Sequence, residues 1–130
     1  MSRPPLIAIV DDDAAMRDAL AEFLHVAGLE GRTYGCAAEF LHDYFPGRFS
    51  LVITDFNMPE MNGIELIRHL RTLGDAPPVI LATSSKRAEM GAGAIQSGAV
   101  AYFTKPFDND ALLDLVTSLL ARGGRRPLTE

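Results

Sequence analysis

The stretch Leu6-Ile7-Ala8-Ile9-Val10-Asp11-Asp12-Asp13 sets five consecutive apolar residues directly against three carboxylates. A short apolar run without in-out alternation is the pattern of a parallel strand covered on both faces. Residues 51–53, 79–82 and 100–103 repeat it, and the more polar segment 29–34 reads as an edge strand. Helical spacing fills the gaps. Met16, Ala19, Leu20, Phe23, Leu24 and Ala27 make one stripe, ended by Gly28, and Phe40, Leu41, Tyr44 and Phe45 make another, ended by Pro46 and Gly47. Ile64, Ile67, Leu70 and Leu73 follow Gly63 and stop at Gly74, while Leu112, Leu115, Val116 and Leu119 form the last stripe, with Asp108 or Asn109 as N-cap. A fourth helix, around residues 84–97, has Gly91 and Gly93 inside it and a thin apolar side, so it should be the loosest. Five strands alternating with five helices predict an α/β fold with a doubly wound parallel sheet, because crossovers between parallel strands are right-handed.

Composition narrows the function. At 130 residues and 48% apolar, the chain suits one globular domain with a substantial core, and no stretch approaches the roughly 18–20 apolar residues of a membrane span. No secretory signal is visible at the start, and Cys36 is the sole cysteine, so a reducing, cytoplasmic setting and a free buried thiol are expected. Twelve basic against 17 acidic residues give a net charge of -5, the wrong sign for direct nucleic-acid binding. From Ala121 the sequence turns Gly-, Arg- and Pro-rich, so we expect one domain over residues 1–121 and a flexible tail or start of a linker over 122–130.

In a parallel sheet every strand delivers its carboxyl end to the same edge, where ligands bind. Asp11 and Asp12 end the first strand, Asp55 the third, Thr83 the fourth and Lys105 the fifth. Two unit charges about 5 Å apart at an effective dielectric of ~20 repel by roughly 3 kcal/mol, so three clustered carboxylates need cations. Lys105 supplies one, and a hard divalent ion with oxygen ligands, Mg2+ above all, supplies the rest and brings phosphate oxygens with it. Singly, each residue has a plainer role: Asp11 to Asp13 as helix caps, Asp55 as a turn residue before Met58-Pro59, Thr83 as a cap, Lys105 as a solvated lysine. Their coincidence on one rim favours a site. His25, His42 and His69 lack ligand spacing and receive no role.

Four segments together resemble the receiver domain of bacterial two-component response regulators, chemotaxis regulators included: Ile9-Val10-Asp11-Asp12-Asp13; Val52-Ile53-Thr54-Asp55-Phe56-Asn57-Met58-Pro59-Glu60-Met61-Asn62-Gly63; Ala82-Thr83-Ser84; and Ala101-Tyr102-Phe103-Thr104-Lys105-Pro106-Phe107. The resemblance implies a flavodoxin-like (βα)5 fold with strand order 2-1-3-4-5. It makes Asp55 the phosphoacceptor, serving a histidine kinase phosphohistidine or a phosphotransfer protein. Mg2+ would be held by the carboxylates of Asp12 and Asp55, the backbone carbonyl of Asn57 and, through water, Asp11. Lys105 and Thr83 would contact the phosphoryl group, and Thr83 with Tyr102 would switch an output face made of the fourth helix, fifth strand and fifth helix. Asn57 and Ser85 would tune phosphoryl lifetime.

The same resemblance implies a signalling domain with slow self-dephosphorylation rather than an enzyme with an external substrate. Its output would be a protein partner, an attached DNA-binding domain or a phosphorylation-dependent homodimer. Arg125-Arg126-Pro127 suits a linker, and Leu128-Thr129-Glu130 resembles the opening of a LuxR-type helix-turn-helix. Two alternatives stand beside this account: a haloacid-dehalogenase-like phosphohydrolase with Asp11 as nucleophile, needing a second acidic pair late in the chain, for which Asp108 and Asp110 are poor candidates because they follow Lys-Pro-Phe and look like a helix cap, and a receiver-like binding module that is never phosphorylated.

Overall fold

The computed structural model describes residues 5–84, 88–105 and 108–124. The chain runs β1 (Leu6–Val10), α1 (Ala14–Val26), β2 (Glu30–Tyr34), α2 (Ala37–Asp43), β3 (Leu51–Asp55), α3 (Gly63–Thr72), β4 (Val79–Thr83), α4 (Ala88–Ser97), β5 (Ala101–Thr104) and α5 (Asn109–Gly124). The strands form one parallel sheet in the order β2-β1-β3-β4-β5, the flavodoxin-like arrangement. The polar segment is indeed an edge strand. Ser85, Pro106, Phe107 and the Arg125-to-Glu130 stretch lie outside the described residues. Helix α5 continues to Gly124, past the change of composition at Ala121.

Both faces of the central strands β1, β3 and β4 are buried. Ile7, Ile9, Leu51, Ile53 and Ile80 point to one side, where Leu20 and Leu24 of α1 and Leu112 and Val116 of α5 close over them. Ala8, Val10, Val52, Val79 and Leu81 point to the other, against Phe40 of α2, Leu66, Ile67 and Leu70 of α3 and Ala94 of α4. Each large side chain fully removed from water contributes ~1.5–3 kcal/mol, so the unbroken apolar runs follow from burial on both faces.

The helical stripes differ in detail from the spacing. Ala19 and Ala27 are exposed, and α1 buries Leu20 and Leu24 with Ala21 and Phe23 beside them. In α3 the buried row is Gly63, Leu66, Ile67 and Leu70, whereas Leu73 is the C-cap residue and lies 45% exposed. Phe45 likewise falls beyond the end of α2 and is exposed. Apolar residues just past a helix end keep the period but not the face. Cys36 is the N-cap position of α2 and only partly buried, and His25, His42 and His69 are exposed.

Beneath α2, Tyr34, Phe40, Tyr44 and Phe49 form a ring cluster with centroids 5.3–6.3 Å apart. The Tyr34 hydroxyl donates to Asp43 Oδ2 at 2.5 Å, and Arg48 reaches the same oxygen at 3.3 Å. Burial, then the hydrogen bond and charge of Asp43, push the Tyr34 phenol up to about 12. A group whose native pKa is raised adds stability that is complete below its unfolded value, near 10, and lost as pH climbs through the native value. Tyr34→Phe is therefore expected to flatten the decline in urea midpoint between about pH 10 and 12 and to remove the highest tyrosinate step from an ultraviolet titration; the parent's step remaining in the variant would contradict this.

Candidate phosphoryl-acceptor site

The carboxyl ends of β1, β3, β4 and β5 meet at one edge, and the sheet ladder extends one residue past several strands to hold the site. Asp11 N–H donates to the Tyr34 carbonyl at 3.0 Å, Phe56 N–H to Ala82 at 2.8 Å and Lys105 N–H to Thr83 at 2.7 Å. Backbone pairing thus fixes where the Asp11 and Lys105 side chains start.

Asp11, Asp12 and Asp55 each offer a carboxylate oxygen within 4.8 Å of the others. Asp11 and Asp55 are buried at 6% exposure each, and Asp12 is exposed at the rim. Lys105 Nζ spans the buried pair, 2.9 Å from Asp11 Oδ2 and 3.1 Å from Asp55 Oδ1. Burial and then repulsion from Asp11 raise the Asp55 carboxyl above the ordinary aspartate value, against the pull of Lys105. For Lys105, burial disfavours the ammonium, but hydrogen bonds to Asp11 and Asp55 outweigh it and raise the pKa. The site therefore holds more negative charge than its lysine neutralises.

The expected rim residues come together unevenly. Asp11, Asp12, Asp55 and Lys105 converge; Thr83 is fully buried at the end of β4, paired in register with Thr104. Tyr102 sits on β5 opposite Leu81 and is 39% exposed. Asn57 is exposed and, with Asp12, Phe56, Met58, Pro59 and Asn62, lines an open depression of about 400 Å³ beside the carboxylates. Asp13 is no part of the cluster: it caps α1, its Oδ1 accepting from the Ala15 and Met16 amides at 3.1 and 3.3 Å.

Three supporting features were not anticipated. Arg17 Nη1 donates to the Asp11 carbonyl at 2.9 Å. Asn62 and Glu65 form a reciprocal capping box at the start of α3, a motif legible in Asn62-x-x-Glu65. Gly63 lets the β3–α3 connection fold back on the end of β3, since a Cβ there would lie 2.5 Å from the Asp55 carbonyl oxygen and 2.5 Å from Leu81 Cδ1. The intervening loop holds Glu60 at φ 73°, a left-handed conformation costing a non-glycine residue ~1 kcal/mol or more.

The dehalogenase-like alternative loses its second acidic pair here. Asp108 Oδ1 accepts from the Asp110 and Ala111 amides at 2.9 and 3.3 Å, so this carboxylate caps α5.

A parallel 2-1-3-4-5 sheet with this acidic rim is shared with a known family: residues 7–117 match the response regulator receiver domain, and the chain belongs to that family. It is 36% identical over 118 residues to the response regulator protein TodT of Pseudomonas putida, covering 91% of this chain and 52% of TodT. The transcriptional regulatory protein FixJ of Bradyrhizobium diazoefficiens is 35% identical over 115 residues, 88% of this chain and 56% of FixJ. The solved structure of the response regulator StyR superposes with a TM-score of 0.87 at 33% identity, over 97% of this chain and 64% of that one. The chain thus spans about half the length of these curated relatives. Among the described residues no helix is long and apolar enough to cross a membrane.

Proposed function

We propose that Asp55 accepts a phosphoryl group from the phosphohistidine of a histidine kinase or phosphotransfer protein. The observation that carries this reading is the ion-paired carboxylate pair: Asp55 and Asp11 are bridged by Lys105 at 3.1 and 2.9 Å, with Asp12 at the open side. Asp55 attacks phosphorus through a carboxylate oxygen, an O–P bond forms, the N–P bond to imidazole breaks, and the imidazole nitrogen keeps the electron pair and takes up a proton. The carboxylate needs no general base. Lys105 meets charge on the transferred group, and the buried hydroxyl residue Thr83 is poised at the neighbouring strand end.

The all-carboxylate donor set fits a hard divalent cation, and Mg2+ would be held by Asp12 and Asp55, by the Asn57 carbonyl, and by Asp11 through water. When bound, that ion neutralises phosphoryl oxygens and orients the incoming group. Slow hydrolysis at the same site resets the domain.

The acyl phosphate adds about -1.5 to -2 charge at the rim. Thr83 and Tyr102 then carry the change to α4, β5 and α5, where Ile95, Val100 and Tyr102 already lie exposed. The relatives named as transcriptional regulators support an attached DNA-binding output beyond residues 1–121, with 122–130 leading into a linker, in a cytoplasmic protein; phosphorylation-dependent homodimerisation through the same face fits that output. The test is incubation with acetyl phosphate and Mg2+. We expect one hydroxylamine-labile phosphoryl group per chain, absent when EDTA is added; no incorporation would favour a binding module that is never phosphorylated.

A further inference from the structure

We propose that Arg17 is the positioning residue of this site, fixing the β1–α1 loop so that Asp11 and Asp12 meet the divalent cation already arranged; this rests on the cation-dependent acceptor role proposed above. A cation in the first turns of a helix opposes the helix dipole, so Arg17 needs a local reason to be there. Its backbone amide donates to the Asp13 carbonyl at 2.9 Å, and its Nη1 reaches back to the Asp11 carbonyl at 2.9 Å. The first of these is the ordinary helical bond that any residue there would make; the side chain's own contribution is the tie from α1 back to the residue before Asp12.

The tie is closed from within by the Asp13 amide, which donates to Asp11 Oδ1 at 2.9 Å. Asp11 is therefore held at three places: its carbonyl by Arg17, Oδ1 by Asp13 and Oδ2 by Lys105. Asp11 as a residue is only 6% exposed, so losing the Arg17 donor would leave its carbonyl in a largely buried setting. Asp12, exposed at the rim, depends for its direction on the peptides either side of it. Arg17 also touches the next connection along the edge. A Cβ on Gly35 would stand 3.3 Å from Arg17 Nη1 and 3.5 Å from Glu39 Oε1, and the Gly35 amide donates to that Glu39 oxygen at 2.9 Å. The guanidinium therefore lies over the β2–α2 turn, where glycine leaves room for it. Residues behind the direct ligands commonly change metal affinity by about 10–100-fold when removed, because the ligands lose their orientation.

The test is calorimetric titration of the whole chain with MgCl2 for the parent, Arg17→Met and Arg17→Lys, at a temperature where circular dichroism shows each variant folded. Arg17→Met keeps the stem but loses the donor and should weaken Mg2+ binding by about tenfold, with Arg17→Lys recovering at least part of the loss. Acetyl phosphate labelling of Arg17→Met should be slow at low Mg2+ and return to the parent rate at saturating Mg2+. A purely structural arginine would lower the melting midpoint while leaving the affinity of the folded protein within about twofold of the parent, and that result overturns the proposal. If Arg17→Met does not fold, the same criterion is applied to Arg17→Ala, which also removes the donor, and an affinity within about twofold of the parent would overturn the proposal equally. Absence of Mg2+ binding by the parent itself would sink the acceptor reading, and this inference with it.

Discussion

Asp55→Asn is expected to reduce acetyl phosphate labelling to the level of a protein-free blank. The amide matches the carboxylate in size but is a poor nucleophile, so the loss reports chemistry rather than packing. Neither neighbour is placed to substitute. Asp11 has one oxygen on the Asp13 amide at 2.9 Å and the other on Lys105 at 2.9 Å, and its carbonyl accepts from Arg17. Asp12 has an oxygen within 4.8 Å of the buried pair, but it stands exposed at the rim, and Lys105 pairs with Asp11 and Asp55. The variant should remain folded, since removing one of two buried acids leaves Lys105 paired with Asp11. Labelling of Asp55→Asn at the parent's rate would move the acceptor elsewhere and reject the assignment.

The second large effect is on stability, and it sets two chemically identical substitutions against each other. Gly→Ala inside a helix normally gains up to ~1 kcal/mol through lower chain entropy. At Gly93 of α4 the new methyl would meet, among the described residues, Ile64 Cδ1 at 3.8 Å, ordinary contact, so Gly93→Ala should stabilise by roughly 0.5–1 kcal/mol. At Gly63 the methyl would arrive 2.5 Å from the Asp55 carbonyl oxygen. Backbone cannot swing aside as a side-chain end can. Overpacking of this kind costs about 1–3 kcal/mol, exceeding the helical gain, so Gly63→Ala should lower the urea midpoint and slow phosphorylation by shifting the acceptor strand. Equal midpoints for Gly63→Ala and the parent would show that the α3 start can retreat without loss.

What the sequence disclosed follows from how information is written in it. Asp11, Asp12, Asp55 and Lys105 could be placed together because parallel strands share one carboxyl edge, and each of these residues follows an apolar run. The edge position of β2 was legible from its polarity. Arg17 was not, because its partner is the Asp11 carbonyl, and a backbone acceptor has no residue identity to recognise. Gly63 reads in sequence as a helix start, and only the fold brings the Asp55 carbonyl against it. The choice of Leu73 over Leu66 for the buried row of α3 came from letting periodicity run past the helix end, where a C-cap turns the chain to solvent. The link between Tyr34 and Asp43 was equally hidden, since it joins a strand end to the last turn of the next helix.

The contact between Asp11 and Lys105 joins residues 94 positions apart. A chain emerging from the ribosome therefore exposes its acidic residues long before their lysine exists, and the acceptor pocket is complete only after the final strand has been delivered and threaded into place. Half-made molecules would carry the aspartates without the lysine that pairs them, so the acceptor role proposed for Asp55 would have to wait for β5.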